Sequence, residues 1–384
     1  MSDLRRPLLL LAVAGFVSGM TIRVAEPMLP KVASDLQVSV GAASVLITGF
    51  TLAYGLFQIV HGPLGDRIGK LRGVAGALLL AAIACGACAF ATSLQSLAVL
   101  RFLTGMTAGA VIPLSFAFVG DNVPFADRQP VLGRFISGVL LGQTLGPLLG
   151  GAFSDFIGWR ATFMVPAVAF ALIGLLLLPL ARAEQTPERV EGEGPIASYR
   201  NLLRSPSVRI ICLAVGLEGM LFYGAFAYLG AYLRHDFELS YTVIGLLLAG
   251  FGVGGVIYSA LVKVLVGRLG QARMVAWGAW LLLLGFAVLA ALPVWPLAVP
   301  TVVLLGLAFY MFHNTLQTRA TEMGPRARGA AISIFAFALF FGQAIGVSTA
   351  ALGVETLGYR PVIALAGLGL SVLGLWFSRR LATL

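Results

Sequence analysis

The chain has 384 residues, of which 59% are hydrophobic and 42 are charged, a balance too apolar for a water-soluble protein. Twelve bilayer crossings of about 20 residues would consume about 240 residues and leave only short loops. That excludes a sizeable extramembrane enzyme domain, a disordered scaffold, a collagenous repeat or a secreted disulfide framework.

The apolar stretches run in the order 7-32, 41-63, 73-92, 97-119, 131-152 and 161-181, then 207-231, 241-263, 274-293, 298-318, 329-352 and 361-378. The first is too long for a signal-peptide core and has no convincing cleavage pattern, so it counts as a span. With the spans laid out as a hairpin series, twenty Lys and Arg side chains fall on the side of the N terminus and four on the other. The net charge of +10 therefore reports topology and not nucleic acid: both termini are expected in the cytoplasm. Cys85 and Cys88 form a C-x-x-C inside an apolar helix without neighbouring cysteines or histidines. They read as small packing residues, as does Cys212, and neither metal nor cofactor is expected.

Segment 182-206 breaks the apolar pattern with charges, Pro187, Gly192, Gly194 and Pro195. It is expected to be a cytoplasmic linker between an N-terminal six-helix bundle, 1-181, and a C-terminal one, 207-384. The two halves align. A shift of 201 pairs Asp35, Ser39, Gly49, Phe50, Arg67, Gly69 and Arg72 with Asp236, Ser240, Gly250, Phe251, Arg268, Gly270 and Arg273. A shift of 200 pairs Gly142, Gln143, Gly146, Gly158 and Arg160 with Gly342, Gln343, Gly346, Gly358 and Arg360. Parallel repeats of six spans are the arrangement of secondary transporters, with the substrate site between the halves near the midplane.

The loop after the second span reads Gly62-Pro-Leu-Gly-Asp66-Arg67-Ile-Gly69-Lys70-Leu-Arg72. It resembles the signature loop of the major facilitator superfamily, G-x-x-x-D-R-x-G-x-(K/R)-(K/R), matching at Gly62, Asp66, Arg67, Gly69, Lys70 and Arg72. The resemblance implies an all-α integral membrane protein of twelve transmembrane helices in two six-helix bundles, and a latch that closes the cytoplasmic side in the outward-facing state. In the second half Gly267 replaces the aspartate, so the latch should centre on Asp66. Asp121 is a candidate partner for Arg67, or a solvated loop acid.

The fourth span opens with Arg101, then Gly105 and Gly109, which resembles the family's arginine-bearing motif linked with proton coupling. An arginine there costs about 2.5 to 3.5 kcal/mol unless it is paired or snorkels to the interface, and both readings stand. The fifth span carries Gly138, Gly142, Gly146, Pro147, Gly150 and Gly151. Glycines four apart share one helix face and allow close backbone approach. The pattern is similar to the fifth-helix signature of drug:proton antiporters within the superfamily, which implies export.

Two acids remain inside spans, Glu26 and Glu218. Glu218 lies about eleven residues beyond Ser207, roughly 16 Å into a core about 30 Å thick. A midplane carboxyl on a helix expected to face the cavity is a candidate proton carrier, or a permanently protonated group bridging helices. Glu26 follows Arg23 by three residues and can pair with it. If the first and fourth helices are neighbours, Arg23, Glu26 and Arg101 form either a coupling network or a charge-neutralising triad. His313, Asn314 and Gln317 place polar groups on the tenth span, where His313 either relays protons or makes a structural hydrogen bond. Tyr54, Gln58, Gln143, Tyr223 and Tyr228 are expected to line the cavity.

These observations lead to a proton-coupled exporter of a small amphipathic molecule, expected to be a monomer in a bacterial cytoplasmic membrane, with protons and one small molecule as its partners. Alternatives are a proton-coupled carrier of a defined metabolite such as a sugar or organic acid, or a receptor or lipid scramblase. No G-x-x-x-x-G-K-(S/T) loop is present, which removes ATP-driven transport by this chain alone.

Overall fold

The computed structural model describes residues 2-184, 195-323 and 328-381, and the described residues are helical almost throughout. Eleven helical segments are long and apolar enough to cross a membrane. One of them, Tyr241–Ala290, is 50 residues long and breaks at Gly270, whose φ of 69° and ψ of 167° leave the helical region. Fifty residues of helix would measure about 75 Å, more than twice the hydrocarbon thickness. The segment is therefore two spans, 241-269 and 271-290, and the predicted twelve are all present.

Helix ends follow local chemistry. Ser39 and Ser240, paired at the 201 shift, each accept a hydrogen bond from the backbone three residues on and cap the second and eighth spans. Positive φ also occurs in pairs. Among the described residues it is found at Gln37 and Glu238, Gly69 and Gly270, and Gly158 and Gly358, each pair related by the same 200 or 201 shift. The repeat thus extends to the backbone conformation of the loops.

Among the described residues five spans are broken where the sequence leads one to expect continuous helices, the second at Ser44 and the sixth at Phe163 by a single residue each, and three more widely. The first ends at Arg23 and resumes at Leu29–Asp35, leaving Glu26 in the non-helical bridge. The fourth is interrupted at Gly109 and Ala110, the seventh at Ala227 and Tyr228. Of the predicted linker 182-206, residues 185-194 lie outside the described residues, and Pro195–Arg204 forms a helix. Its Leu202 packs with Val208 and Ala331, while the Tyr199 hydroxyl donates to the Ile59 carbonyl of the second span at 3.2 Å.

One apolar core lies within residues 211-381 and a second is formed by buried residues between Leu11 and Ala181. A third joins the halves near one end, where Val24, Met28, Leu46 and Trp159 meet Ala227, Tyr228 and Val347. The outward rows, such as Ile83, Leu172, Val256, Trp280 and Val372, stay exposed, as suits side chains that face lipid.

Candidate functional site

A cavity of about 1020 Å³ lies between the halves. Arg23, Tyr54, Gln58 and Gln143 line it from the first half; Tyr223, His313, Asn314 and Gln317 line it from the second. Tyr228 does not belong with them. It sits at the break in the seventh span, buried, with its hydroxyl donating to the Val347 carbonyl at 3.0 Å, so it ties the seventh span to the eleventh. Several lining residues are themselves held: Gln58 donates at 3.2 Å to the Gly109 carbonyl, which Pro113 four residues on has no amide hydrogen to meet, and Asn314 donates to the Tyr258 hydroxyl at 2.9 Å.

The cavity reaches Gly62, Asp66, Gly120, Arg128 and Tyr199 at one end. At the opposite end, where the third apolar core joins the halves, two carboxylates cross between them. Asp155, at the end of the fifth span, accepts from the Tyr241 and Thr242 amides at 3.2 and 2.6 Å and from the Thr242 hydroxyl at 2.7 Å. Glu355, at the end of the eleventh, accepts from the Ser39 hydroxyl at 2.5 Å. Each acid meets the N-terminus of a helix in the other half, where free amides and the helix dipole favour negative charge. We expect Asp155→Ala/Glu355→Ala to open this end. Electron–electron resonance between spin labels at Phe156 and Leu357 should then show a longer distance absent from the parent; an unchanged distribution would show that the acids do not hold the closure.

Among the described residues the intramembrane charges form two pairs and one arginine without an acidic partner. Arg23 Nη1 meets Glu26 Oε1 at 2.6 Å, and its guanidinium lies 4.2 Å from the Tyr223 ring centroid of the other half. Arg101 does not join them. It is fully buried, which removes the snorkelling reading, and donates to the Leu46 carbonyl at 3.1 Å and the Thr21 carbonyl at 3.2 Å while stacking on Phe50. The predicted triad is thus divided, because Glu26 is taken by its near neighbour and Arg101 turns to backbone carbonyls, which pair two of its three nitrogens. Glu218 Oε2 lies 2.7 Å from His313 Nδ1. His313 lines the cavity and stacks on Phe309 at 5.0 Å. Glu218 is fully buried behind it, not on the cavity wall where its helix position suggested.

The expected loop Gly62–Arg72 is instead helical on both sides of Gly69, and in it Lys70 Nζ lies 3.0 Å from both Asp66 and Asp121. Lys70 therefore occupies the place expected for Arg67, which is exposed. All three charges belong to the first half. Glu184, at the end of the sixth span, accepts from the Lys70, Leu71 and Arg72 amides at 3.0 to 3.2 Å. It caps the third span, and the bare Gly69 at φ 97° makes room for it.

The glycines of the fifth span form a ladder. A Cβ at Gly138, Gly142, Gly146 or Gly150 would press on the carbonyl of Ala12, Phe16, Met20 or Val24 respectively. Both helices advance by four residues per rung, so their backbones run in contact along the face. Gly342 and Gly346 repeat this against Gly216 and Met220. Gly151 differs: a Cβ there would press on Tyr241, and one at Gly245 on Pro147. The motif therefore packs mainly within its own half, and only its Pro147 and Gly151 end meets the other.

The sequence pattern that describes the Major Facilitator Superfamily matches residues 11-235 and 211-383. The chain belongs to this superfamily. Relatives include the multidrug export protein EmrB of Escherichia coli, 24% identical over 69% of this chain and 62% of EmrB. A chloramphenicol resistance protein of Streptomyces lividans is 27% identical over 92% of this chain and 89% of its own length. Among solved structures, a bacterial homologue of the human lysosomal transporter Spinster, inward-facing and occupied, superimposes with a TM-score of 0.79 at 16% identity, covering 97% of this chain and 96% of that one.

As a major facilitator transporter, the chain also carries site residues that its sequence reading missed. Asp155 and Glu355 were visible as acids at matched repeat positions, a signal as good as that of the matched glycines. Glu184 and Tyr199 gave none, since nothing near them in sequence marks the element each one touches.

Proposed function

We propose that this transporter exports small amphipathic molecules in exchange for protons across a bacterial cytoplasmic membrane, with both termini and the open end of the cavity on the cytoplasmic side. The two bundles, 1-181 and 207-384, rock about the cavity. The observation that carries the reading is the Glu218–His313 pair: a carboxyl at midplane depth whose only hydrogen-bond partner among the described residues is a histidine on the cavity wall. A proton reaching His313 from the cavity can pass over 2.7 Å to Glu218, and can be returned when the cavity faces the other side. Alternating access then links the proton to a substrate that uses the same cavity.

The names of the relatives, multidrug export and chloramphenicol resistance, support export of drug-like compounds. So does the complete fifth-span motif. The test is proton flux in proteoliposomes challenged with a panel of amphipathic compounds. Compound-dependent proton movement opposite to compound flux is the expected result. Compound movement with no accompanying proton movement would overturn the antiport reading.

A further inference from the structure

Both deep carboxylates are screened from the cavity by a basic side chain. Arg23 lines the cavity and Glu26 lies behind it, 2.6 Å away; His313 lines the cavity and Glu218 lies behind it, 2.7 Å away. Among the described lining residues the one acid is Asp66, at the open end. A guest in the deep cavity therefore meets a guanidinium, an imidazole, side-chain amides and phenols, but no carboxylate. A lipophilic cation would find no counter-charge there, and desolvating it without one is costly.

Arg23 is built to receive an anion. Its guanidinium has five N–H donors, and the bond to Glu26 is its one hydrogen bond among the described residues. Rings of Tyr223, Phe226 and Phe251 hold its plane from the other half at 4.2 to 5.4 Å, so the fork is pre-oriented at the closed end of the cavity. The walls nearby are aromatic, including Tyr54, Phe309 and Phe340. We propose that the substrate class is an aromatic amphiphile with an anionic head, a carboxylate or phenolate, seated on the Arg23 guanidinium. This rests on the reading of the cavity as the transport site.

The test is calorimetric binding to the detergent-purified full chain of three matched probes: 2-naphthoate, 2-naphthamide and 2-naphthyltrimethylammonium. A charge-assisted contact should make the carboxylate bind about tenfold or more tighter than the ammonium. Arg23→Gln/Glu26→Gln removes both charges together, leaves no buried ion unpaired, and should erase that preference while changing naphthamide affinity by less than about twofold. Should the double variant not fold, the ranking in the wild-type protein decides alone. Ammonium binding as tight as carboxylate, no carboxylate binding, or a preference that survives the double substitution overturns the proposal. Binding without a pH gradient says nothing of coupling, so proton-coupled export of cations would sink this inference and leave antiport intact.

Discussion

Vesicles carrying Glu218→Gln protein should exchange substrate down its gradient at close to the wild-type rate, yet fail to drive it with a pH gradient. Glutamine keeps the size of the side chain and can still hydrogen-bond His313 Nδ1, so the pair that fixes the seventh span to the tenth survives. What disappears is the site that can be charged in one half-cycle and neutral in the other. Since His313 stands between Glu218 and the cavity, His313→Leu should produce the same uncoupling with the carboxyl intact. Gradient-driven transport in both variants should fall to the level of empty vesicles. Equal coupling in Glu218→Gln and wild type would move the proton site to Glu26, and coupling that survives His313→Leu would show that protons reach Glu218 by another path.

Gly142→Leu should be the most damaging single change in the fifth span. Even a Cβ would press on the Phe16 carbonyl, with the Met20 amide 2.9 Å away, and both are helix backbone that cannot swing aside as a side chain could. Overpacking of this kind costs about 3 kcal/mol, and here it separates the first and fifth spans along a shared face. Little folded protein should be recovered, or its melting temperature should drop sharply in a thermal-shift assay. Gly76→Leu, where nothing lies within 4 Å of the added atom, is the control and should melt like wild type. Equal melting of the two variants would mean that the ladder does not hold these helices together.

The fold was legible because its signals are redundant. Apolar length sets the spans, and the matched loop residues at shifts of 200 and 201 reappear as matched left-handed residues in the backbone. Spacing of four along the fifth span identified a face, though not the helix that fills it. The site was legible as a list of residues more than as an arrangement. Glu26, Arg101, Glu218 and His313 stand out because charge is scarce inside a membrane protein, and the cost of burying it makes each one conspicuous. Which charge meets which depends on rotations about helix axes and on the breaks at 24-28, 109-110 and 227-228, and periodicity encodes neither. Arg101 shows the limit clearly, since its partners are the Leu46 and Thr21 carbonyls, and every residue in the chain supplies a carbonyl. Arg67 was likewise the expected partner of Asp121, and Lys70, three residues on at the start of the third span, takes its place.

The two acid caps at the closed end act on bodies that are each stiff, so neither can release alone to any effect. Their strengths combine into one opening constant, much as the arms of a bivalent ligand do. With about 1.5 kcal/mol per cap, the pair biases the closed form by about 3 kcal/mol, on the order of a hundredfold. With one cap lost, the other would still favour the closed form by roughly tenfold. Each acid thus hides the loss of the other, and substitutions at Asp155 or Glu355 would stay silent until they met in the same chain.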